Sequence, residues 1–204
     1  MDIPGPVGQL ETQLDDARSP QEVTAILCHP HPQYGGNMYD GVLHTCTETL
    51  LEQGINCIRF NYRGVGASDG TYDNGLGESE DLLAISDWVN LQRTTHKQWW
   101  LGYSFGAAVV WRALQAARKV SPAKSVLIAP PTSMLKLSDS TSVTEVTAIT
   151  GDQDDFVDLE QLDAMQGIAI TQINGGNHFF SGHHAQLSQA VAAICGTRGD
   201  LSED

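Results

Sequence analysis

The sequence predicts an α/β fold, a mostly parallel sheet of about six or seven strands flanked by helices. Two observations carry that expectation. Short apolar runs alternate along the chain with longer segments of helical period, the pattern of parallel strands crossed over by helices. In addition, the residues with chemical character gather just after the strand candidates, where open parallel sheets place their sites.

The strand candidates, in order, are Val23 to Cys28, Ile55 to Asn61, Gln98 to Gly102, Lys124 to Ala129, Val143 to Thr150 and Ile168 to Asn174, with a leading strand near Val7 to Leu14. Between them Leu43, Cys46 and Leu50 recur at helical spacing, as do Leu82, Ile85 and Val89, and again Leu187, Ala190, Val191 and Ile194. Each of these segments carries one apolar face to lay on a sheet. A further helix is expected to begin at Ser104 and to run through Ala107 to Arg118, and a short one over Asp158 to Met165. No repeat, low-complexity tract or linker interrupts the pattern, so residues 1–204 are read as one domain.

Composition narrows the partners. Lys and Arg total 11 against 25 Asp and Glu, a formal charge of −14, which repels nucleic acid phosphates and anionic lipid headgroups alike. No apolar run approaches the ~18 residues of a membrane-spanning helix. Met1 to Leu14 has no basic segment followed by an apolar one, and a cytoplasmic location is expected. Cys28, Cys46, Cys57 and Cys195 are widely spaced without a C-x-x-C pair, a distribution of reduced, buried thiols rather than of a disulfide framework.

The strongest motif is Gly102-Tyr103-Ser104-Phe105-Gly106, a G-x-S-x-G between a strand-like run and a helix-like one. In that setting the strand turns sharply into the helix and the serine hydroxyl projects, while the glycines admit neighbouring backbone. A serine hydroxyl becomes a useful nucleophile only when a base takes its proton, so an imidazole oriented by a carboxylate is expected downstream. Of the seven histidines, only His178, His183 and His184 follow Ser104. His178 lies in a glycine-rich loop directly after the last strand candidate and is the candidate base; the other two open the final helix, where a solvated histidine is ordinary. The acid is expected from Gly151 to Asp158, where Asp152, Asp154, Asp155 and Asp158 crowd one loop and all but one serve as caps or solvated charges.

With serine, acid loop and histidine in that order, the chain resembles the α/β-hydrolase superfamily over nearly its whole length. Cys28 to Met38 (CHPHPQYGGNM), Arg59 to Ser68 (RFNYRGVGAS) and Asn177 to Gly182 (NHFFSG) are similar, more narrowly, to small bacterial serine hydrolases related to dienelactone hydrolase. Dienelactone hydrolase itself uses a cysteine nucleophile where this chain has Ser104. The superfamily's acid loop often reads G-x-x-D-x-x-V, which Gly151, Asp154 and Val157 match; the resemblance therefore implies Asp154 as the acid, with Asp155 in reserve. It also implies an oxyanion hole made by the backbone N–H of Phe105 and a second N–H from the loop after the first core strand. Pro30 and Pro32 have none to give, which leaves His31, by alignment, or Gln33.

His29 and His31 could instead hold a metal, but no further ligand lies in suitable spacing, and positioning of the loop is the expected role. Arg63, Gly64 and Gly66 are read as loop-forming, and Trp88, Trp99, Trp100 and Trp111 as packing residues. Relatives with a lid insert it between the strands that here are Lys124 to Ala129 and Val143 to Thr150, where this chain has only Pro130 to Ser142, so an open site is expected. The implied function is cleavage of small carboxylic esters or thioesters through an acyl-enzyme, with a small-molecule substrate and no cofactor. Lactonase, acyltransferase and peptidase share this constellation. A non-catalytic binding module on the same fold is the reading from another class, and no residue indicates the oligomeric state.

Overall fold

The computed structural model describes residues 1–116, 121–135, 145–165 and 167–195. Its centre is one mixed sheet of eight strands: β1 (Asp2–Gly5), β2 (Gly8–Asp15), β3 (Val23–Cys28), β4 (Asn56–Phe60), β5 (Lys97–Tyr103), β6 (Lys124–Ile128), β7 (Glu145–Gly151) and β8 (Ile168–Ile173), in the spatial order β1-β2-β4-β3-β5-β6-β7-β8. The six strands from β3 onward pair in parallel, and β1 and β2 form an antiparallel hairpin that joins the sheet along β4. This is one strand more than the sequence pattern gave at its most generous. β1 offers only Ile3 as an apolar residue beside Pro4 and Gly5, too little alternation to be read as a strand, and it is ordered by pairing with β2.

The helices are α1 (Gly41–Glu52), α2 (Leu76–Gln92), α3 (Phe105–Ala116), α4 (Leu159–Ala164) and α5 (His184–Cys195), and a single 3-10 turn covers Pro32–Tyr34. The expected strand start at Val143, the helix end at Arg118 and most of the short lid-position segment, residues 136–142, lie outside the described residues. Helix starts follow local chemistry. The N–H groups of Val42 and Leu43 donate to Asp40 Oδ1 at 2.8 and 3.3 Å, and the Asp158 side chain accepts from the Gln161 N–H at the head of α4.

Alternation along the strands divides the core in two. Ile26, Ile58, Trp100 and Leu127 face α2 and α3, where Leu82, Ile85, Val89, Val109 and Val110 meet them. Ala25, Leu27, Trp99, Leu101 and Val126 face the other way, onto Leu43 and Leu50 of α1 and Leu187 and Val191 of α5. The central strands β3 to β7 are buried almost throughout on both faces, which leaves their ends for chemistry. Among the described residues no helix is long and apolar enough to cross a membrane.

Candidate active site

Ser104 stands between β5 and α3 at φ +53°, a left-handed conformation that a non-glycine residue adopts only when its surroundings compel it. Its N–H donates to the Ile128 carbonyl of β6 at 2.8 Å, and its own carbonyl accepts from the Ala107 N–H at 2.9 Å, starting α3. Neither flanking glycine could carry a side chain: a Cβ on Gly102 would overlap the Gly106 carbonyl, and one on Gly106 would overlap the Cys28 carbonyl at the end of β3. The head of α3 is thus pressed against the ends of β3 and β5, and the serine hydroxyl is left projecting at the carboxyl end of the sheet's central strands.

The loops after β7 and β8 bring two more predicted residues to it. His178 Nε2 lies 3.0 Å from Ser104 Oγ, and His178 Nδ1 lies 2.9 and 3.0 Å from the two carboxylate oxygens of Asp154. Adjacent parallel strands make this meeting geometric: β7 and β8 pair through Gly151 and Ile173, so their following loops leave side by side. Gly151 has no room for a Cβ because the Gly176 carbonyl occupies that place, and the Gln153 N–H donates to the same carbonyl at 2.9 Å. The Asp154 side chain is fully buried, and its Oδ1 also accepts the Phe156 N–H at 2.9 Å. Hydrogen bonding of this kind puts the imidazole proton on Nδ1 and leaves the Nε2 lone pair toward the serine.

The other aspartates of the acidic loop are engaged elsewhere. Asp152 accepts the Gly175 N–H, Asp158 caps α4, and Asp155 is exposed, its backbone carbonyl accepting the Ser133 hydroxyl. His183 and His184 stand at the start of α5, bonded to the Ser181 carbonyl and to the Thr45 hydroxyl.

His31 meets Phe105, the residue after the serine, their ring centroids 4.8 Å apart. Among the described residues no group accepts the backbone N–H of either one. The Gln33 N–H, by contrast, is occupied, donating to His31 Nδ1 at 3.2 Å, where the His31 side chain caps the 3-10 turn. With that nitrogen an acceptor, His31 Nε2 carries the proton and donates to the Tyr72 hydroxyl at 3.2 Å. Burial lowers the His31 pKa, with Glu78 pulling the other way.

His29 turns into the core. Its Nδ1 donates to the Pro30 carbonyl at 2.7 Å and its Nε2 accepts the Tyr62 N–H at 3.2 Å, tying the loop after β3 to the loop after β4. Burial pushes its pKa down to about 4, so it stays neutral in the fold. Arg63 clamps the second of these loops from within: its Nε and Nη2 reach Asp81 at 3.0 and 2.7 Å, and its backbone N–H reaches the same carboxylate at 2.9 Å. Both histidines and the arginine therefore occupy loop-holding positions. Among the described residues no group of three His, Cys, Asp or Glu is placed to hold a metal ion. Cys28, Cys46 and Cys57 are buried.

Several neighbours of the site were not singled out from the sequence. The Tyr103 hydroxyl donates to the His178 carbonyl at 3.1 Å, and burial holds this phenol well above its usual pKa. Phe156 and Phe179 flank the His178 ring at centroid distances of 4.5 and 5.4 Å. Tyr103 is the second residue of G-x-S-x-G and could have been considered from its position; the two phenylalanines give no signal distinct from ordinary loop residues.

The fold, the strained serine at the head of α3 and the open strand ends define a class, and comparison with known proteins agrees with it. A family model described as alpha/beta hydrolase fold matches residues 26–156, and the chain belongs to that family. The chain is similar to XC6422 of Xanthomonas campestris, described as an a/b serine hydrolase without lid, at 35% identity and a TM-score of 0.87 over 95% of this chain and 91% of that one. An alpha-beta serine hydrolase homologue from Coxiella burnetii is 35% identical, with a TM-score of 0.85 over 95% of each chain. An uncharacterized protein of Rickettsia prowazekii, RP471, is 32% identical over 92% of this chain and 84% of its own length.

Proposed function

We propose that this chain is a serine hydrolase that cleaves small carboxylic esters through an acyl-enzyme on Ser104. The observation that carries the reading is the unbroken line of hydrogen bonds from Ser104 Oγ through His178 to the buried Asp154 carboxylate, anchored on a serine held at φ +53°. The descriptions of the Xanthomonas and Coxiella relatives as serine hydrolases support it.

In the first half-reaction Ser104 Oγ attacks the ester carbonyl carbon while its proton passes to His178 Nε2. Asp154 holds the ring in the required tautomer and stabilises the imidazolium as it forms. The carbonyl oxygen, now negative, is received by the unoccupied N–H groups of Phe105 and His31; His31 is preferred to Gln33 because the Gln33 N–H is already spent on the His31 ring. Collapse of the tetrahedral species breaks the bond to the alcohol oxygen, which takes the proton from His178 Nε2 and leaves. Water then repeats the sequence: His178 removes its proton, the oxygen attacks the acyl carbon, and the proton returns to Ser104 as the acid departs. The helix dipole of α3 favours the negative charge at both tetrahedral stages.

The test is hydrolysis of p-nitrophenyl acetate and butyrate, with fluorophosphonate labelling followed by peptide mass analysis. Turnover with the label on Ser104, and loss of both in Ser104→Ala and His178→Ala, is expected. Absence of turnover and of labelling in the wild-type chain overturns the catalytic reading and leaves a ligand-binding module in its place.

A further inference from the structure

The reading of Ser104 as a nucleophile fixes where the two halves of an ester must lie, and the side chains in those places describe the substrate. Because the departing alcohol oxygen takes its proton from His178 Nε2, the alcohol half must sit on the histidine side of the serine. Two phenylalanines stand on that side, flanking the imidazole, and both face solvent: Phe156 is 40% and Phe179 61% exposed. The apolar surface continues beyond them. The Ser133 hydroxyl and N–H both donate to the Phe156 carbonyl, at 2.8 and 3.1 Å, and the next residues, Met134 and Leu135, are 67% and 42% exposed. Four large apolar side chains left open beside a buried, hydrogen-bonded histidine are costly unless something covers them during the reaction.

Charge around the site selects further. In sequence, the loops at residues 29–40, 61–75, 129–144, 151–158 and 174–183 contain two basic residues, Arg63 and Lys136, against eight aspartates, Asp40, Asp69, Asp73, Asp139, Asp152, Asp154, Asp155 and Asp158. Arg63 is itself consumed by Asp81 and Glu80. A substrate carrying phosphates or free carboxylates on its leaving group would approach loops in which acidic residues far outnumber basic ones, and among their described residues the one cation, Arg63, is already paired.

We infer that the leaving-group side of this site is built for an uncharged apolar alcohol or thiol, an aromatic one best of all, held against Phe179 and Phe156, and that Phe179 is a specificity-determining residue. The inference rests on the hydrolase reading of Ser104. It separates the neutral ester from the polyanionic coenzyme thioester, two substrates between which the fold makes no choice. Phe179 supplies an exposed ring face for offset or edge contact with the leaving group, and Phe156, its centroid 4.5 Å from that of the imidazole, offers a second.

Benzyl acetate and methyl acetate have leaving alcohols of nearly equal acidity and the same acyl group, so their ratio of kcat/KM reports the contact and not the chemistry. The wild-type chain is expected to prefer benzyl acetate by about tenfold or more, the gain of one good aromatic contact. Phe179→Ala, a truncation of an exposed side chain that leaves the core intact, is expected to erase most of that ratio through KM, and Phe156→Leu to reduce it. S-benzyl thioacetate is expected to be cleaved faster than acetyl-coenzyme A at low ionic strength. Equal rates for the two acetates, a ratio unchanged in Phe179→Ala, or a preference for acetyl-coenzyme A would each overturn the inference while leaving Ser104 labelling intact. A wild-type chain that neither labels nor turns over any ester removes the hydrolase reading, and this inference with it.

Discussion

Replacing Asp154 with asparagine tests the acid at the atom where it acts. The carboxylate meets two donors at once: Oδ2 lies 2.9 Å from His178 Nδ1, while Oδ1 accepts the Phe156 N–H at 2.9 Å and lies 3.0 Å from the same imidazole nitrogen. Asparagine has one acceptor and must choose. If its oxygen stays with the Phe156 N–H, its NH2 faces Nδ1, the imidazole proton moves to Nε2, and Ser104 confronts a donor where it needs a base. If the oxygen turns to Nδ1 instead, NH2 opposes the half-buried Phe156 N–H, a mismatch that costs about 1–3 kcal/mol. The first arrangement is favoured, and kcat is expected to fall by about 10³–10⁴-fold, equivalent to roughly 4–5.5 kcal/mol of barrier. Because size and the Phe156 hydrogen bond are retained, urea denaturation should place its stability within about 1 kcal/mol of wild type. The assay is kcat on p-nitrophenyl acetate together with the rate of fluorophosphonate labelling, with Asp155→Asn as the neighbouring control, expected within about twofold of wild type. A variant Asp154→Asn within tenfold of wild type, or a larger loss at Asp155, would refute the assignment.

Gly106→Ala drives a methyl group into the Cys28 carbonyl, backbone against backbone, so α3 must lift from β3. A stability loss of about 3 kcal/mol in urea denaturation is expected, with labelling of Ser104 slowed in the folded fraction because the Phe105 N–H moves with the helix. Arg63→Met leaves the fully buried Asp81 side chain without its cation, and a destabilisation of about 3–5 kcal/mol is expected, largely relieved in the double variant Arg63→Met/Asp81→Leu. His29 supplies a pH signature. Its pKa is about 4 in the fold against 6.5 for an ordinary histidine, so between those values the unfolded chain binds the proton that the folded one refuses. Its contribution to stability is therefore complete above pH 6.5 and declines as the pH falls toward 4, by about 3 kcal/mol in all. His29→Gln should remove that part of the slope in urea titrations across the interval; an unchanged slope would contradict it.

Local and distant constraints were not equally legible in the sequence. The serine turn could be read because what it demands is written within five residues: glycine at Gly102 and Gly106, a strand before and a helix after. Asp154 was distinguishable from Asp152, Asp155 and Asp158 only through a family register, since all four are equivalent as isolated loop carboxylates. What separates them physically is the parallel pairing of β7 with β8, which sets the side chain of one position against His178. The pair His29 and His31 makes the same point within a single loop. Strand alternation would put residues two apart on one face; the bend of the loop at Pro30 instead sends the first into the core and the second against Phe105 at the serine turn, and no composition or spacing rule states it. β1 was invisible for another reason: its order comes from the hairpin with β2 and not from any apolar period of its own.

Where the strain of Ser104 is held decides which substitutions should silence the site without unfolding the chain. A left-handed non-glycine residue costs on the order of 1–3 kcal/mol and persists only when its neighbours over-determine it. Here they do so through the Ile128 carbonyl of β6, the packing of α3 on β3 and β5, and the two glycines that permit that packing. The histidine and the acid arrive on separate loops that depend on β7, β8 and the Tyr103 hydroxyl. Small losses of packing between α3 and the sheet relax the serine first, since its left-handed backbone is held by that packing, whereas Phe180, at φ +51° in the loop that bears His178, is packed in the core on the α1 and α5 face. Activity should therefore decline ahead of global unfolding in variants at the α3 contact, such as Val110→Ala, and in step with it in variants of the α1 and α5 face, such as Leu187→Ala.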